Sequence, residues 1–356
     1  MKHFGFGACL LAAVQSTFAL SNSEENVPVR PRSFSACLLV KDDNHLLDEW
    51  IAYHYHTLPL RHLVVAVDPD SITTPEDLLK KWEKFTELET MLWTDRDYRS
   101  AEDLTETVIK KHKALAQNDT VLLLKEHRVR QRNFYGHCIN HFKKTGQAWV
   151  TLIDTDEFVA PNESYIFSSK PQEQKLSHFI SENHEYFDKT PCFPMARTLF
   201  GPRVDATEGN DYYFPAYFRT LEYFYHDAYG EKSENGYLKV MVDVRKFTFK
   251  DLDLENIISG PHRPLEKCVM PDYYHSPGKD SHSVLRVHHY LGSKEEYFRR
   301  NDARRDIAIY DRKADSSSRF GPNIVLKSWL DGFIRDIGSE TASVLLNFDS
   351  SVSQEL

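Results

Sequence analysis

Four short apolar runs separated by stretches with helical spacing constrain this chain more than any other feature. "FSACLLV" (34–40), "HLVVAVD" (62–68), "ETMLW" (89–93) and "AWVTLID" (148–154) read as strands, the first of them buried by its unbroken apolar run. After the first run, Asp42, Asp43 and Asn44 offer N-cap side chains, and Leu47, Trp50, Ile51, His54 and Leu58 then fall along one helical face. Leu78, Trp82 and Phe85 mark a second helix, and Leu104, Val108 and Leu115 a third. A further helix is predicted from about 128 to 144, with Gly146 as the residue that ends it. Strands alternating with helices predict an α/β fold, with a mainly parallel sheet covered on both faces. Beyond residue 160 the pattern changes. "CFPMARTLF", "YYFPAYFRTLEYFY", "YLKVMVDVRKF" and "VLRVHHYL" read as strands with little helix between them. A Rossmann-like, nucleotide-binding half is therefore expected to run without a break into a β-richer half.

The ends of the chain read differently. Residues 1–21 carry one lysine at position 2, an apolar run from Phe4 to Val14, and small residues at Ala19 and Ser21. That is the outline of a secretory signal peptide, or of an uncleaved signal anchor if Phe18 to Leu20 is counted with the run. Residues 22–33 are polar, contain two prolines and read as a linker. The main domain is placed at 34–300, and 301–356 is read as a C-terminal helical segment and tail. Such an address implies the secretory pathway: Golgi lumen or secretion, with type II membrane anchoring as the other form. Asn118-Asp-Thr and Asn162-Glu-Ser are glycosylation sequons usable only on a lumenal surface. Outside the leader there are four cysteines, Cys37, Cys138, Cys192 and Cys268. Cys37, in a buried strand, and Cys138, in a helix, are read as free thiols, and Cys192–Cys268 as a disulfide. The net charge of −9 excludes the basic footprint of a nucleic-acid binder, but it leaves room for an anionic small ligand held through a cation.

Chemistry gathers at the strand ends. Asp68-Pro-Asp70, Asp95-Arg-Asp97 and Asp154-Thr-Asp156 each lie at or just past the C-terminal end of a predicted strand. In an open parallel sheet those ends share one edge, where ligands bind. The bland reading is three capped loops, and the sharp one is a metal site. For residues 154–156 an extended chain would point Asp154 and Asp156 to one side and Glu157 to the other. Two converging carboxylates repel, and a hard divalent cation such as Mn²⁺ or Mg²⁺ removes the repulsion while also binding diphosphate oxygens.

"DTDEF" after a hydrophobic strand resembles the D-x-D element of GT-A-fold glycosyltransferases, most closely glycosyltransferase family 92 and related family-2-like enzymes. "LLVKDDNHLLDEWIAYHYH", "LVVAVDPDS", "RVRQRNFYGHCINHFKKTGQAWVTLIDTDEFV", "RTLFG" and "LRVHHYLGSKEEYFRR" resemble other elements of that family in the same order, over about 35–300. Lys41-Asp42-Asp43 is a departure, because relatives often carry an Asn-Glu pair there.

The resemblance implies transfer of a sugar from a nucleotide-diphosphate donor to a hydroxyl of a glycan or glycoconjugate, with inversion. It implies that Asp156 ligates the metal, that Asp154 contacts the metal or the donor ribose, and that His289 completes the metal or diphosphate site. It implies that Asp68 contacts the donor base or ribose, and it makes Lys41 and Arg130 candidates for diphosphate or nucleotide contacts. His288 would point away from His289 in a strand. His54 and His56 are read as structural. An inverting enzyme needs a carboxylate to deprotonate the acceptor. Asp205, Glu208 and Asp211 follow "LFG" and are the candidates, and spacing does not choose among them. Lys239 and Lys267 are basic residues that could face a donor phosphate. The rival readings are a metal-dependent phosphatase, disfavoured by Phe158 where a D-x-D-x-T motif needs threonine, and a carbohydrate-binding protein on a transferase scaffold. No G-x-x-x-x-G-K-[ST] occurs to support a P-loop enzyme.

Overall fold

The computed structural model describes residues 33–117, 119–161, 180, 187, 191–202, 223–226, 238–253, 257–259, 262–268, 285–299, 306–314, 319–322 and 329–347. The strands and helices of the first half follow the predicted alternation. β1 (Phe34–Val40), α1 (Asn44–Thr57), β2 (Leu60–Val67), α2 (Glu76–Phe85), β3 (Glu89–Trp93), α3 (Asp95–Tyr98), α4 (Ala101–Ala116), α5 (Thr120–Lys144) and β4 (Trp149–Leu152) run in chain order. β3, β2, β1 and β4 are neighbours and all parallel. Their C-terminal ends therefore share one edge.

The second half is antiparallel in character. It contains β5 (Glu157–Pro161), β6 (Cys192–Pro202), β7 (Tyr223–His226), β8 (Lys239–Asp243), β9 (Ile257–Ser259), β10 (Arg263–Leu265), β11 (Leu285–Tyr290) and β12 (Arg319–Pro322). Helices α6 (Lys294–Arg299), α7 (Ile307–Ala314), α8 (Trp329–Ile337) and α9 (Ser339–Leu346) complete the described elements. β8 joins β4 antiparallel, and β6 joins β8 antiparallel. β6 pairs with β8 through Cys192–Met195 and with β11 through Ala196–Phe200, so one long strand carries the sheet around a curl. β5 then pairs antiparallel with β11. The result is one mixed ten-stranded α/β sheet, with a separate β9–β10 pair.

Alternation in β1 places Ala36, Leu38 and Val40 on one face and Cys37 on the other. The first face packs with Trp50, Ile51 and Tyr53 of α1, Trp82 of α2, and Trp329, Phe333 and Leu345 of the C-terminal helices. The C-terminal segment thus contributes to the same core as β1. The second face packs against α5 through Phe134, Tyr135, Cys138 and Ile139. α8 approaches α1 so closely that a β-carbon on Gly332 would lie 2.3 Å from His56 Nε2. Among the described residues no helix is long and apolar enough to cross a membrane. Residues 1–32 and both sequon asparagines lie outside the described residues.

Four expectations are corrected. Cys37 and Cys138 are not free: they form a disulfide with a Cα–Cα distance of 6.1 Å, because Cys37 faces the helix that covers that side of the sheet. The Cys192–Cys268 disulfide is present as expected. α2 buries Leu79 and Trp82, while Phe85 is exposed. α4 buries Thr107 and Ala114 and exposes Val108 and Leu115, because it meets α5 through a polar contact, Thr107 Oγ1 donating to Glu126 at 3.2 Å. α5 begins at Thr120 rather than near 128, with Asp119 accepting the Leu122 N–H at 3.0 Å. Its end is as expected: Gly146 has φ 76°, and Gln147 N–H donates to Phe142 O.

Candidate metal and anion site

The segment after β4 is a tight turn, not an extended chain. Glu157 N–H donates to Asp154 O at 3.1 Å, and the Glu157 carboxylate folds back to accept the Asp154 N–H at 3.0 Å. The alternation that would send Glu157 away does not apply inside a turn. Asp154, Asp156 and Glu157 consequently converge, each offering an oxygen within 4.8 Å of the others.

The side chains of α1 hold this turn. Trp50 Nε1–H donates to Asp154 O at 3.1 Å and to Glu157 O at 3.0 Å. Tyr53 O–H donates to Val159 O at 2.7 Å, and His54 Nε2 accepts the Val159 N–H at 3.2 Å. His54 Nδ1–H donates to Trp50 O at 2.8 Å. Burial holds His54 neutral, with its pKa lowered to about 3, so its structural reading stands. Trp50, Tyr53 and His54 thus serve as a hydrogen-bonding edge for β5, which has β11 on its other side. Asp43 does not cap α1 with its side chain. Its carboxylate instead accepts the Thr155 hydroxyl at 3.1 Å, tying the loop after β1 to the acidic turn.

β11 supplies the histidine. His289 lies opposite Glu157 in the antiparallel pair, Tyr290 N–H donates to Asp156 O at 2.8 Å, and His289 Nε2 stands 3.4 Å from Asp156 Oδ2. His288 points the other way, buried and stacked on Phe200 with centroids 4.6 Å apart. Burial lowers its pKa to about 3.

β8 supplies a cation. Lys239 Nζ donates to Asp154 Oδ2 at 2.7 Å and lies 2.8 Å from Glu157 Oε2, with its side chain only 1% exposed. Burial opposes its charge, but the two carboxylates outweigh burial and raise its pKa. Desolvation raises Asp154, and Lys239 outweighs it, leaving that carboxylate below its ordinary value. Glu157, fully buried, is pushed up by desolvation despite Lys239. Two neighbours complete the surroundings. The Tyr135 hydroxyl of α5 is fully buried, and burial first, then the charges of Asp154 and Glu157, push its pKa up. His262 donates from Nδ1 to Leu238 O at 2.5 Å, and burial first, then Lys239, lowers its pKa to about 4.

The other two acidic strand ends are occupied differently. Arg130 Nη1–H donates to Asp68 at 2.6 Å, and its Nε–H donates to Asp95 at 3.1 Å. Asp68 also accepts the Asp70 N–H at 2.9 Å, and Asp70 pairs with Lys111. Tyr98 O–H donates to Asp95 at 2.5 Å. Asp68, Asp95 and Arg130 are all buried, so two of the three acidic ends form one internal ion-pair network rather than an open rim. Lys41 sits close enough to Asp42 and Asp70 to lower both carboxylates, behind the larger influences of desolvation and hydrogen bonding. Lys267 pairs with Asp251 at 2.7 Å. Asp205, Glu208 and Asp211 lie outside the described residues.

Of the residues singled out in the sequence, the structure brings Asp154, Asp156 and His289 together. Sequence reasoning missed Tyr135 and His262, and it named Lys239 with nothing local to place it. The available signal for Lys239 was a lysine opening an otherwise apolar strand, "KVMV". No family model matches the chain, and no curated protein matches it.

Proposed function

We propose that this protein is a metal-dependent, inverting glycosyltransferase of the GT-A type. It would take a nucleotide-diphosphate sugar as donor and a hydroxyl of a glycan or glycoconjugate as acceptor. The observation that carries the reading is the convergence of Asp154, Asp156 and Glu157 at the end of β4, with His289 3.4 Å from Asp156.

The residues fit a divalent cation. Hard carboxylate oxygens with one imidazole suit Mn²⁺ or Mg²⁺. The side chain of Asp154 is 43% exposed, so a ligand can reach the cluster. His289 Nδ1, buried and without a hydrogen-bond partner, is a polar group of the kind that a bound ligand or water satisfies. Asp154, Asp156 and His289 would hold the ion, which supplies Lewis-acid neutralisation of the departing diphosphate. Glu157 fixes the turn and binds Lys239. Asp68 and Arg130, already paired, would offer their polar edges to the donor from the neighbouring strand end. The two disulfides support an oxidising compartment, in line with the secretory address.

A metal-free binding role is the second reading, favoured by one observation: Lys239 already neutralises part of the cluster. Calorimetry separates the two. A transferase binds one nucleoside diphosphate only when Mn²⁺ is present and slowly hydrolyses the matching sugar nucleotide. Asp156→Ala should abolish both without unfolding the protein. Nucleotide binding unaffected by Mn²⁺ or by this substitution would refute the proposal.

A further inference from the structure

β8 runs antiparallel to β4, with Val240 opposite Leu152. Its first residue, Lys239, is therefore delivered to the edge where the parallel strands end. Every parallel neighbour would have delivered its last residue there instead. Lys239 is buried to 1% and bridges Asp154 and Glu157 at 2.7 and 2.8 Å. Three carboxylates with one ammonium leave a formal charge of −2, the complement of one divalent ion. The Tyr135 hydroxyl lies wholly buried beside the same carboxylates, and their charges help raise its pKa behind the larger influence of burial.

We propose that Lys239 is the positioning residue of this site: its fixed positive charge holds Asp154 and Glu157 together before metal binds and sets the net charge of the three carboxylates to match a single divalent cation. The proposal rests on the metal reading above and adds a residue to it. Without Lys239, Asp154 and Glu157 would repel across the turn, and Glu157 would be a buried carboxylate without its ammonium partner. With it, the Asp154 and Glu157 side chains are already in place when the ion arrives. The same charge also limits affinity, because it repels the ion. Metal affinity should therefore follow the net charge of the cluster, whichever residue changes it.

The test is a Mn²⁺ titration followed by electron paramagnetic resonance, on the full chain, at a pH where the carboxylates are ionised. Glu157→Gln lowers the cluster charge to −1, and it should weaken Mn²⁺ binding by about tenfold to a hundredfold, the scale of one unit charge a few ångströms from the ion. Lys239→Met raises the charge to −3 and should tighten it. The double variant Glu157→Gln/Lys239→Met returns to −2 and should bind within a few-fold of the wild type, as should Lys239→Arg. A second readout is thermal melting in the presence of a chelator. Lys239→Met should lower Tm by roughly 4–8 °C, the effect of leaving a buried charge unpaired, and the double variant should recover most of it. If Lys239→Met and Glu157→Gln change Mn²⁺ affinity in the same direction, the charge-matching role is overturned. If the double variant melts as low as Lys239→Met, the assembly role is overturned. A wild type that binds no Mn²⁺ refutes the metal reading, and with it charge matching; the melting comparison still decides the assembly role.

Discussion

Trp50→Phe tests how the acidic turn is held. The indole is fully buried, and its one N–H bridges the carbonyls of Asp154 and Glu157 at 3.1 and 3.0 Å. Phenylalanine keeps an aromatic ring in the core but removes that donor and part of the ring volume. Asp154 O retains the Glu157 N–H, so the loss falls mainly on the Glu157 carbonyl. Removing a partner from a buried acceptor costs about 1–3 kcal/mol, and the smaller ring adds about 1 kcal/mol for the space it leaves. Urea titration should show a loss of about 2–4 kcal/mol with an unchanged m-value. Trp82→Phe is the matched control: its buried indole donates to Asp48 at 2.8 Å, on the far side of α1 from the turn. Both variants should lose comparable stability, but only Trp50→Phe should weaken Mn²⁺ binding, because only Trp50 holds the backbone that carries Asp154 and Asp156. Equal Mn²⁺ affinity in the two variants would refute the role assigned to Trp50.

Further outcomes are expected. Burial lowers the pKa of His54 and His288 to about 3 and of His262 to about 4, below the ordinary value near 6.5. The unfolded chain therefore binds more protons below pH 6.5, and stability should fall as pH drops from about 6.5 toward 4, by up to about 1.4 kcal/mol per pH unit for each histidine; the fall in urea midpoint from pH 7 to 5 should be reduced by about a third in His288→Phe. Gly332→Ala should cost about 1–3 kcal/mol by driving a methyl group into His56, whose Nδ1 is 2.8 Å from Asp336, and most of that loss should vanish in His56→Ala/Gly332→Ala. Replacing Cys37 and Cys138 together with alanine should destabilise the protein by about 2–5 kcal/mol by freeing a loop with a sequence separation of 101, and chemical denaturation would measure it.

The first half of the fold was legible because its signals are local. β1, β2, β3 and β4 are short apolar runs, and their alternation with helices requires a parallel sheet whose C-terminal ends share an edge. Asp154 and Asp156 could be singled out for the same reason: a strand that is buried until Ile153 has no core use for the carboxylates that follow. α4 was misread because its apolar residues have helical spacing whether or not a partner covers them. Val108 and Leu115 stay exposed, while Thr107 is buried by its bond to Glu126.

The sequence by itself determined the α/β order, the acidic segment after β4 and the strand alternation that separates His288 from His289; the Cys192–Cys268 pairing was right although its premise, free Cys37 and Cys138 thiols, was wrong. The tertiary structure decided what meets that segment. It turned Glu157 inward, set His289 beside Asp156, closed Cys37 onto Cys138, absorbed Asp68 and Asp95 into a pair with Arg130, and delivered Lys239 from an antiparallel strand 82 positions beyond Glu157. The reason is physical. Periodicity records which side of its own element a residue faces, whereas the partner across the gap depends on strand order and direction, and no local spacing encodes either one.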